Sequence, residues 1–155
     1  MSIDFTLSPE LEELRMRVRD FITTVVAPAE AQIKNEADLD RAEYIHLLLD
    51  LRRQAHDLGL WLPHMPDEWG GMGLGHVELA MVQAEAAKAY YGPFALNCMA
   101  PDEGNMHTLL HWGTDEQKER YLRPLCEGTA MSCFAMTEPE VAGSDPTLIR
   151  TTAVQ

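Results

Sequence analysis

The residues whose types and spacing best suit chemistry lie in one loop near the carboxyl end, at residues 137–145. This loop contains two hydroxyl side chains, Thr137 and Ser144, and one glycine, Gly143. Hydroxyls, glycine and exposed backbone N–H groups can together cradle an anionic or carbonyl-rich ligand. The same residue types also dominate ordinary turns. The residues alone are equally compatible with a ligand-binding loop and with a plain turn.

Two other patterns could suggest a binding site. The glycine-rich run 70–75 fails the dinucleotide spacing G-x-G-x-x-G because Glu78 stands where the third glycine is needed, and no strand precedes the run. His107 and His111 are four apart on a predicted helix, a spacing that suits a metal, but no H-E-x-x-H pattern or nearby third ligand accompanies them. We interpret the run as a helix connection and the histidines as surface or packing residues, with no metal expected.

Three acidic pairs lie at residues 67–68, 102–103 and 115–116. Each falls at a predicted turn or helix start, where the helix dipole favours negative charge. We interpret all three as capping charges.

The elements that would position the loop are predicted to be helices. Ser8 and Pro9 predict a helix start, and apolar residues at steps of three and four continue until Pro28, which is expected to end the helix. Further helices are predicted at residues 29–35, 41–58, 77–91, 105–112 and 114–126, with another turn or two at 94–99.

The residue pattern changes after Gly128. Residues 131–137 predict an extended strand that leads into the loop, and residues 148–154 follow the loop. The fold class is therefore mainly α: an antiparallel bundle of about six helices followed by the first strands of a truncated β-domain. We place the helical domain at residues 1–129 and the start of the β-domain at 130–155.

Composition limits the partners. The 155 residues carry 25 acidic and 12 basic side chains, a net charge of −13, which disfavours nucleic acid and anionic membranes. Residues 1–5 lack the basic start and apolar run of a secretory signal peptide. No apolar run approaches the ~20 residues of a membrane span, so a cytoplasmic location is expected. Cys98, Cys126 and Cys133 are expected to be reduced thiols packed as small apolar side chains.

The carboxyl-terminal segment resembles a known family. Residues 133–139, read together with 143–145, are similar to the flavin-contacting signature of acyl-CoA dehydrogenases. Residues 66–73 are similar to the family's P-x-x-x-G-G-x-G connection, and 113–118 to its G-[ST]-x-E-Q-K helix start. Residues 101–106 with 132–134 also resemble the branch associated with longer acyl chains. The resemblance covers essentially the whole chain and implies the family's helical domain followed by the start of its middle β-domain.

The resemblance implies roles for five residues. Phe134, Met136 and Thr137 would line the FAD, two of them largely through backbone groups and Thr137 through its hydroxyl near the pyrimidine edge. Gly143 and Ser144 would lie where the flavin site meets the acyl-CoA, with Ser144 reaching the pantetheine arm.

The implied reaction is α,β-dehydrogenation of an acyl-CoA thioester in fatty-acid or related acyl catabolism. A carboxylate base removes the α-proton while the β-hydride passes to the flavin. In the family this base lies in the carboxyl-terminal half, so no catalytic residue is assigned among residues 1–155. The implied partners are the remaining dehydrogenase domains or a partner subunit, a homo-oligomer when complete, and electron-transfer flavoprotein or a similar acceptor.

Two other interpretations stay open. The chain could be a non-catalytic helical interaction module that kept the dehydrogenase scaffold. It could also be an inactive truncated fragment.

Overall fold

The structure, a computed structural model, describes residues 6–35 and 40–154. The expectation for residues 1–5 lies outside this part. The described helices form six continuous runs, which confirms the mainly-α prediction. Their bounds are α1 (Pro9–Phe21), a π turn (Ile22–Val26) and α2 (Ala27–Asn35); α3 (Arg41–Asp57); α4 (His76–Ala86); α5 (Gly92–Ala95); α6 (Asp102–Trp112); and α7 (Asp115–Gln117), a π turn (Lys118–Leu122) and α8 (Arg123–Cys126).

The first helix begins as its sequence predicts. The Ser8 hydroxyl accepts the N–H of Leu11 at 3.2 Å, and Pro9 occupies the first helical position. Val18 and Phe21 on the apolar stripe of α1 are fully buried. Helix α1 packs on α4, so the stripe faces the core.

Pro28 does not end this helix, contrary to the prediction. The chain widens into the π turn Ile22–Val26, where the N–H of Ala27 bonds the carbonyl of Ile22, and α2 continues beyond it. A proline lacks an N–H and crowds the carbonyl four residues before it, and a π turn re-spaces these bonds around it. The sequence predicts that Pro28 disrupts the helix, but it does not predict the π turn that accommodates the proline.

Apolar residues at steps of three and four predict a buried stripe on α3, at Ile45, Leu48, Leu51, Ala55 and Leu58. Leu51 and Ala55 are buried, whereas Ile45 is 41% and Leu58 50% exposed, so the stripe is shorter than predicted. The helix ends as expected, because Gly59 adopts the left-handed conformation with φ +65° that glycine accepts without steric cost.

The connection between α3 and α4 is irregular, as predicted, but it is tightly built. Leu62 donates its N–H to Leu96 at 2.9 Å, and the Gly73 N–H reaches the Met65 carbonyl at 2.8 Å. Leu62 and Met65 are fully buried. The connection is therefore part of the core and fixes the start of α4.

Two helices are shorter than predicted. Helix α4 ends at Ala86 because the chain folds back so closely that a side chain at Gly92 would lie 2.0 Å from the Ala86 carbonyl. Helix α5 ends at Ala95, and Asn97 takes a left-handed conformation with φ +55° that breaks the run.

The last two helical runs agree better with their predictions. Helix α6 begins at Asp102, three residues before the predicted start. The three-residue spacing of Thr114 and Gln117 predicts a capping box, and reciprocal hydrogen bonds of 2.9 and 3.2 Å confirm it. The acidic pairs at 102–103 and 115–116 lie in the first turns of α6 and α7, and the pair at 67–68 opens a 3₁₀ turn (Asp67–Trp69), as predicted.

The predicted strands are not found. Within residues 6–35 and 40–154 no segment forms a β-ladder, and residues 129–139 run without regular secondary structure. A strand is held by hydrogen bonds to a neighbouring strand, and no described segment supplies one. The carboxyl-terminal segment therefore takes a loop course, with one 3₁₀ turn at Pro146–Leu148.

Glu85 links α1 to α4 and is buried. Its carboxylate accepts hydrogen bonds from Arg19 at 2.7 Å, from Arg15 at 3.0 Å and from Lys88. Chiefly through Arg19, and then Lys88 and Arg15, these cations lower the pKa of Glu85 to about 2, against an ordinary value of 4.5. A carboxyl group with a depressed folded pKa stabilises the fold above its ordinary pKa and loses that effect as pH falls.

We therefore expect Glu85→Gln to lower the free energy of unfolding by about 2 kcal/mol at neutral pH, because it leaves three cations without their common partner. The difference from wild type should shrink as pH falls from 4.5 toward 2. Urea unfolding followed by circular dichroism at several pH values measures this. Glu13→Gln, on the exposed side of α1, is the matched control and should change little. A pH-independent difference would contradict the assigned role.

No described helix combines the length and apolar character that crossing a bilayer requires.

Candidate functional site

A cleft of about 770 Å³ opens between α6 and residues 132–134. Its volume lies in the range of small-molecule sites. Small, apolar and uncharged polar side chains line it, and no charged residue does. The lining residues are Ala100, Pro101, Gly104, Asn105, Thr108, Ser132, Cys133 and Phe134. Such a lining suits an apolar chain or an aromatic ring better than a phosphate.

The wall opposite α6 is held by Ser132. The Asp102 carboxylate accepts the Ser132 N–H at 2.7 Å and its hydroxyl at 2.5 Å. Asn105 donates its side-chain amide to the same hydroxyl at 2.8 Å. These bonds fix the segment against the first turn of α6 and place Phe134 at the cleft.

The structure brings only one of the five predicted site residues into this cleft. Phe134 lines it and is 70% exposed. Met136 and Gly143 are half-buried, whereas Thr137 and Ser144 are exposed, and none of these four lines the cleft. The Thr137 hydroxyl makes no hydrogen bond within the described part of the chain. It is open to a ligand or to another part of a larger protein.

The loop around Gly143 and Ser144 is closed by its own hydrogen bonds. The Glu138 carboxylate accepts the backbone N–H of Arg150 at 3.0 Å and of Thr151 at 2.6 Å, together with the Thr151 hydroxyl. These bonds, led by the Thr151 hydroxyl, lower the pKa of Glu138. The loop thus has a defined path, and Glu138 is committed to holding it.

A buried polar centre at Arg52 and Asn97 was not predicted from sequence. The Arg52 guanidinium lies between the rings of Trp61 and Phe94, 5.0 and 4.9 Å from their centroids, and donates to the Asn97 amide oxygen at 2.5 Å. Burial lowers the pKa of Arg52. Asn97 also donates to the Leu125 carbonyl at 3.0 Å, so the centre ties α3 to α8. No sequence signal marks it, because its members are far apart in the chain.

The histidines of α6 have a third neighbour. The His107 ring is stacked near His111, and its Nε2 lies 3.1 Å from Nδ1 of His64 in the α3–α4 connection. His64 is buried, and this burial lowers its pKa to about 4. Its other ring nitrogen lies 3.0 Å from the Asn97 carbonyl oxygen. The sequence interpretation missed His64 because it precedes His107 by 43 residues.

The cysteines only partly follow the expectation. Cys98 and Cys126 are buried, and burial raises their pKa values to about 12 and about 11, so both stay protonated thiols. Cys133 is exposed at the cleft and does not pack as a small apolar side chain, because residues 131–135 lie on the surface.

Comparison with known proteins identifies the family. The family model "Acyl-CoA dehydrogenase, N-terminal domain" matches residues 8–129. Acyl-CoA dehydrogenase family member 10 of Mus musculus is 41% identical over 90% of this chain and 14% of its own length. Family member 11 of Homo sapiens is 37% identical over 89% of the chain and 18% of its own length. FadE2 of Mycobacterium tuberculosis, assigned as an acyl-CoA dehydrogenase, is 38% identical over 97% of the chain and 37% of its own length.

A solved structure has the same fold. A Mycobacterium abscessus protein assigned to the acyl-CoA dehydrogenases superposes with a TM-score of 0.77 at 37% identity, covering 92% of this chain and 38% of that one. The chain thus spans less than two fifths of the length of each of these relatives. From the match across its helical runs and from the shared fold, the chain belongs to the acyl-CoA dehydrogenase family.

Proposed function

We propose that this chain is the amino-terminal portion of a FAD-dependent acyl-CoA dehydrogenase and forms one wall of its flavin and acyl-thioester site. The observation that carries the proposal is the uncharged cleft between α6 and Phe134, which continues into the segment that resembles the family's flavin signature. The helical portion would extend to residue 129, where the family match ends, and the middle domain would begin at residue 130.

The residues of this chain fit an acyl thioester and a flavin in different ways. The cleft offers small and apolar contacts from Ala100, Pro101 and Phe134. These contacts suit an acyl chain because they bury methylene groups without leaving a polar atom buried and lacking a hydrogen bond. The open Thr137 hydroxyl and the backbone of Met136 would hold the polar edge of the ring. Ser144 would contact the pantetheine arm from the closed loop.

These residues would bind and orient the acyl thioester and the flavin. They would not remove the α-proton of the substrate. Glu138 already holds backbone N–H groups, and Glu103 is not among the cleft's lining residues. The α-proton would be taken by a carboxylate elsewhere in the complete protein. FAD, when bound, supplies the two-electron oxidation, and electron-transfer flavoprotein or a similar acceptor would reoxidise it. Membership of the branch of the family associated with longer acyl chains stays a prediction.

Flavin content tests the cofactor assignment. The complete protein, or this chain co-expressed with the remaining domains, should purify with the visible absorbance of oxidised flavin. A folded assembly that stays colourless after incubation with FAD would refute the assignment.

Thr137→Val should weaken FAD binding in the complete protein about fivefold, because a hydroxyl contact worth ~1 kcal/mol is lost. Fluorescence titration of the apoprotein with FAD measures the affinity. Thr23→Val, at an exposed threonine of the first helical run, is the control and should bind FAD like wild type. Equal affinity of the Thr137 variant would remove this residue from the site.

A non-catalytic interaction module is the second candidate. Exposed large apolar side chains favour it, since Met131 is 64% and Phe134 70% exposed beside the cleft. Such surface in a monomer marks an interface. In the first candidate the middle domain and ligands cover this surface, whereas in the second a separate protein does so without flavin. Flavin content therefore discriminates the two.

A further inference from the structure

We propose that His64, Glu103 and His107 bind a divalent transition-metal ion of the zinc class. One ligand atom from each of these residues lies within 4.8 Å of the others. Glu103 and His107 are four residues apart on α6 and therefore project from one face of the helix. His64 comes from the α3–α4 connection, so the site would join two elements distant in sequence.

The hydrogen bond of His64 prepares it as a ligand. Its Nε2 lies 3.0 Å from the Asn97 carbonyl oxygen, which can only accept, so Nε2 carries the hydrogen. Nδ1 then presents its lone pair toward His107. Histidines that bind metals characteristically donate their other N–H to a carbonyl or carboxylate, which fixes the ring and its tautomer.

The spacing of the two imidazoles matches a shared ion. His64 Nδ1 and His107 Nε2 are 3.1 Å apart. Two nitrogens each about 2.0–2.1 Å from one zinc ion at a tetrahedral angle lie roughly 3.3 Å apart. In the hydrogen-bonded pair Nε2 of His107 carries the hydrogen. Zinc binding would move this hydrogen to Nδ1 of His107, turn both rings toward the ion and shift the two nitrogens apart by a few tenths of an ångström.

Glu103 supplies charge and is itself oriented. The Gln83 side-chain amide lies 3.3 and 3.4 Å from its two carboxylate oxygens, which restricts the carboxylate from the α4 side. Glu103 and His107 are half-buried, so an ion can reach them from solvent. The chain's net charge of −13 also raises the local concentration of cations.

The ligand set indicates the class of ion. Two imidazole nitrogens and one carboxylate suit zinc and its transition-metal neighbours, whereas calcium and magnesium favour all-oxygen sites. Three protein ligands leave one position of a tetrahedral ion for water. Because α6 also carries Gly104, Asn105 and Thr108 of the cleft, a bound ion would fix the cleft's floor relative to the α3–α4 connection.

Zinc titration of the chain, purified without a polyhistidine tag, tests the proposal. Isothermal titration calorimetry with ZnCl₂ should show one site, and thermal unfolding should shift to higher temperature with zinc. His107→Gln and Glu103→Gln should each weaken zinc binding about tenfold or more and abolish the thermal shift. His46→Ala, at an exposed histidine of α3, is the matched control and should behave like wild type.

X-ray absorption at the zinc edge provides a readout on the unaltered chain. It should report two imidazole ligands and light-atom neighbours. Two outcomes would overturn the site: no zinc binding by the wild-type chain, or binding that survives in both variants as it does in the control. The first would mean that the His64–His107 contact is a hydrogen bond only, and the second that zinc binds elsewhere on the acidic surface.

Discussion

Gly71→Ala is expected to destabilise the chain by about 3 kcal/mol or more. A Cβ at this position would lie 2.0 Å from the Met65 carbonyl oxygen and 2.8 Å from that of Leu62. Both neighbours are backbone atoms of fully buried residues, so the clash cannot be relieved by rotating a side chain. The connection itself would have to move. Urea or thermal unfolding followed by circular dichroism measures the loss.

Gly104→Ala is the matched control for this experiment. Gly104 lies within α6, and a Cβ there would meet no atom within 4 Å. Replacing a helical glycine with alanine should stabilise the chain by about 0.5–1 kcal/mol. Changes of opposite sign in the free energy of unfolding for the two substitutions would support the packing described for the α3–α4 connection. A Gly71 variant as stable as wild type would show that residues 60–75 are not packed this closely.

Gly104→Leu is expected to lower kcat/KM for long acyl-CoA substrates about 100-fold in the complete protein, since the added side chain occupies the space proposed for the acyl chain. Gly104 lines the cleft, and a Cβ there meets no atom within 4 Å, so we expect the fold to tolerate the leucine. Flavin content and unfolding temperature should stay close to wild type. Steady-state kinetics with acyl-CoA thioesters of increasing length measures the effect.

The chain-length dependence makes this prediction specific. Gly104→Ala should retain most of the activity, and Gly104→Leu should lose less with short acyl chains than with long ones. Undiminished turnover of long substrates by the leucine variant would show that the acyl chain does not enter this cleft.

The helices could be predicted from sequence where local signals decide. Ser8 and Pro9 start α1, and Thr114 with Gln117 starts α7, because capping involves residues only three apart. Other element boundaries were wrong, for both local and long-range reasons. Pro28 is accommodated by a π turn, and α4 ends early because Gly92 brings the chain back against Ala86.

The predicted strand at 131–137 shows another limit of sequence analysis. Its residues have strand-like types, but a strand also requires a partner, and the described part of the chain contains none. The segment is held instead by Ser132 on Asp102. Both residues fall in stretches that resemble the family, yet nothing in either stretch predicts their contact.

The candidate site was predictable only in part. Phe134 was assigned from the family signature and lines the cleft, but its flavin role stays a prediction, as do the roles of Met136, Thr137, Gly143 and Ser144. The polar centre of Arg52 and Asn97 and the contact of His64 with His107 bring together residues 43 to 45 positions apart. Periodicity and spacing report neighbours within a helix or strand and carry no information at that range.

Anaerobic titration of the complete flavin-loaded protein with an acyl-CoA thioester tests the proposed site directly. If the segment around Phe134 and Thr137 borders a dehydrogenase site, the visible flavin absorbance should bleach in proportion to added substrate, and an enoyl-CoA product should form. A flavin that binds but is not bleached by acyl-CoA thioesters of any chain length would refute the proposed function.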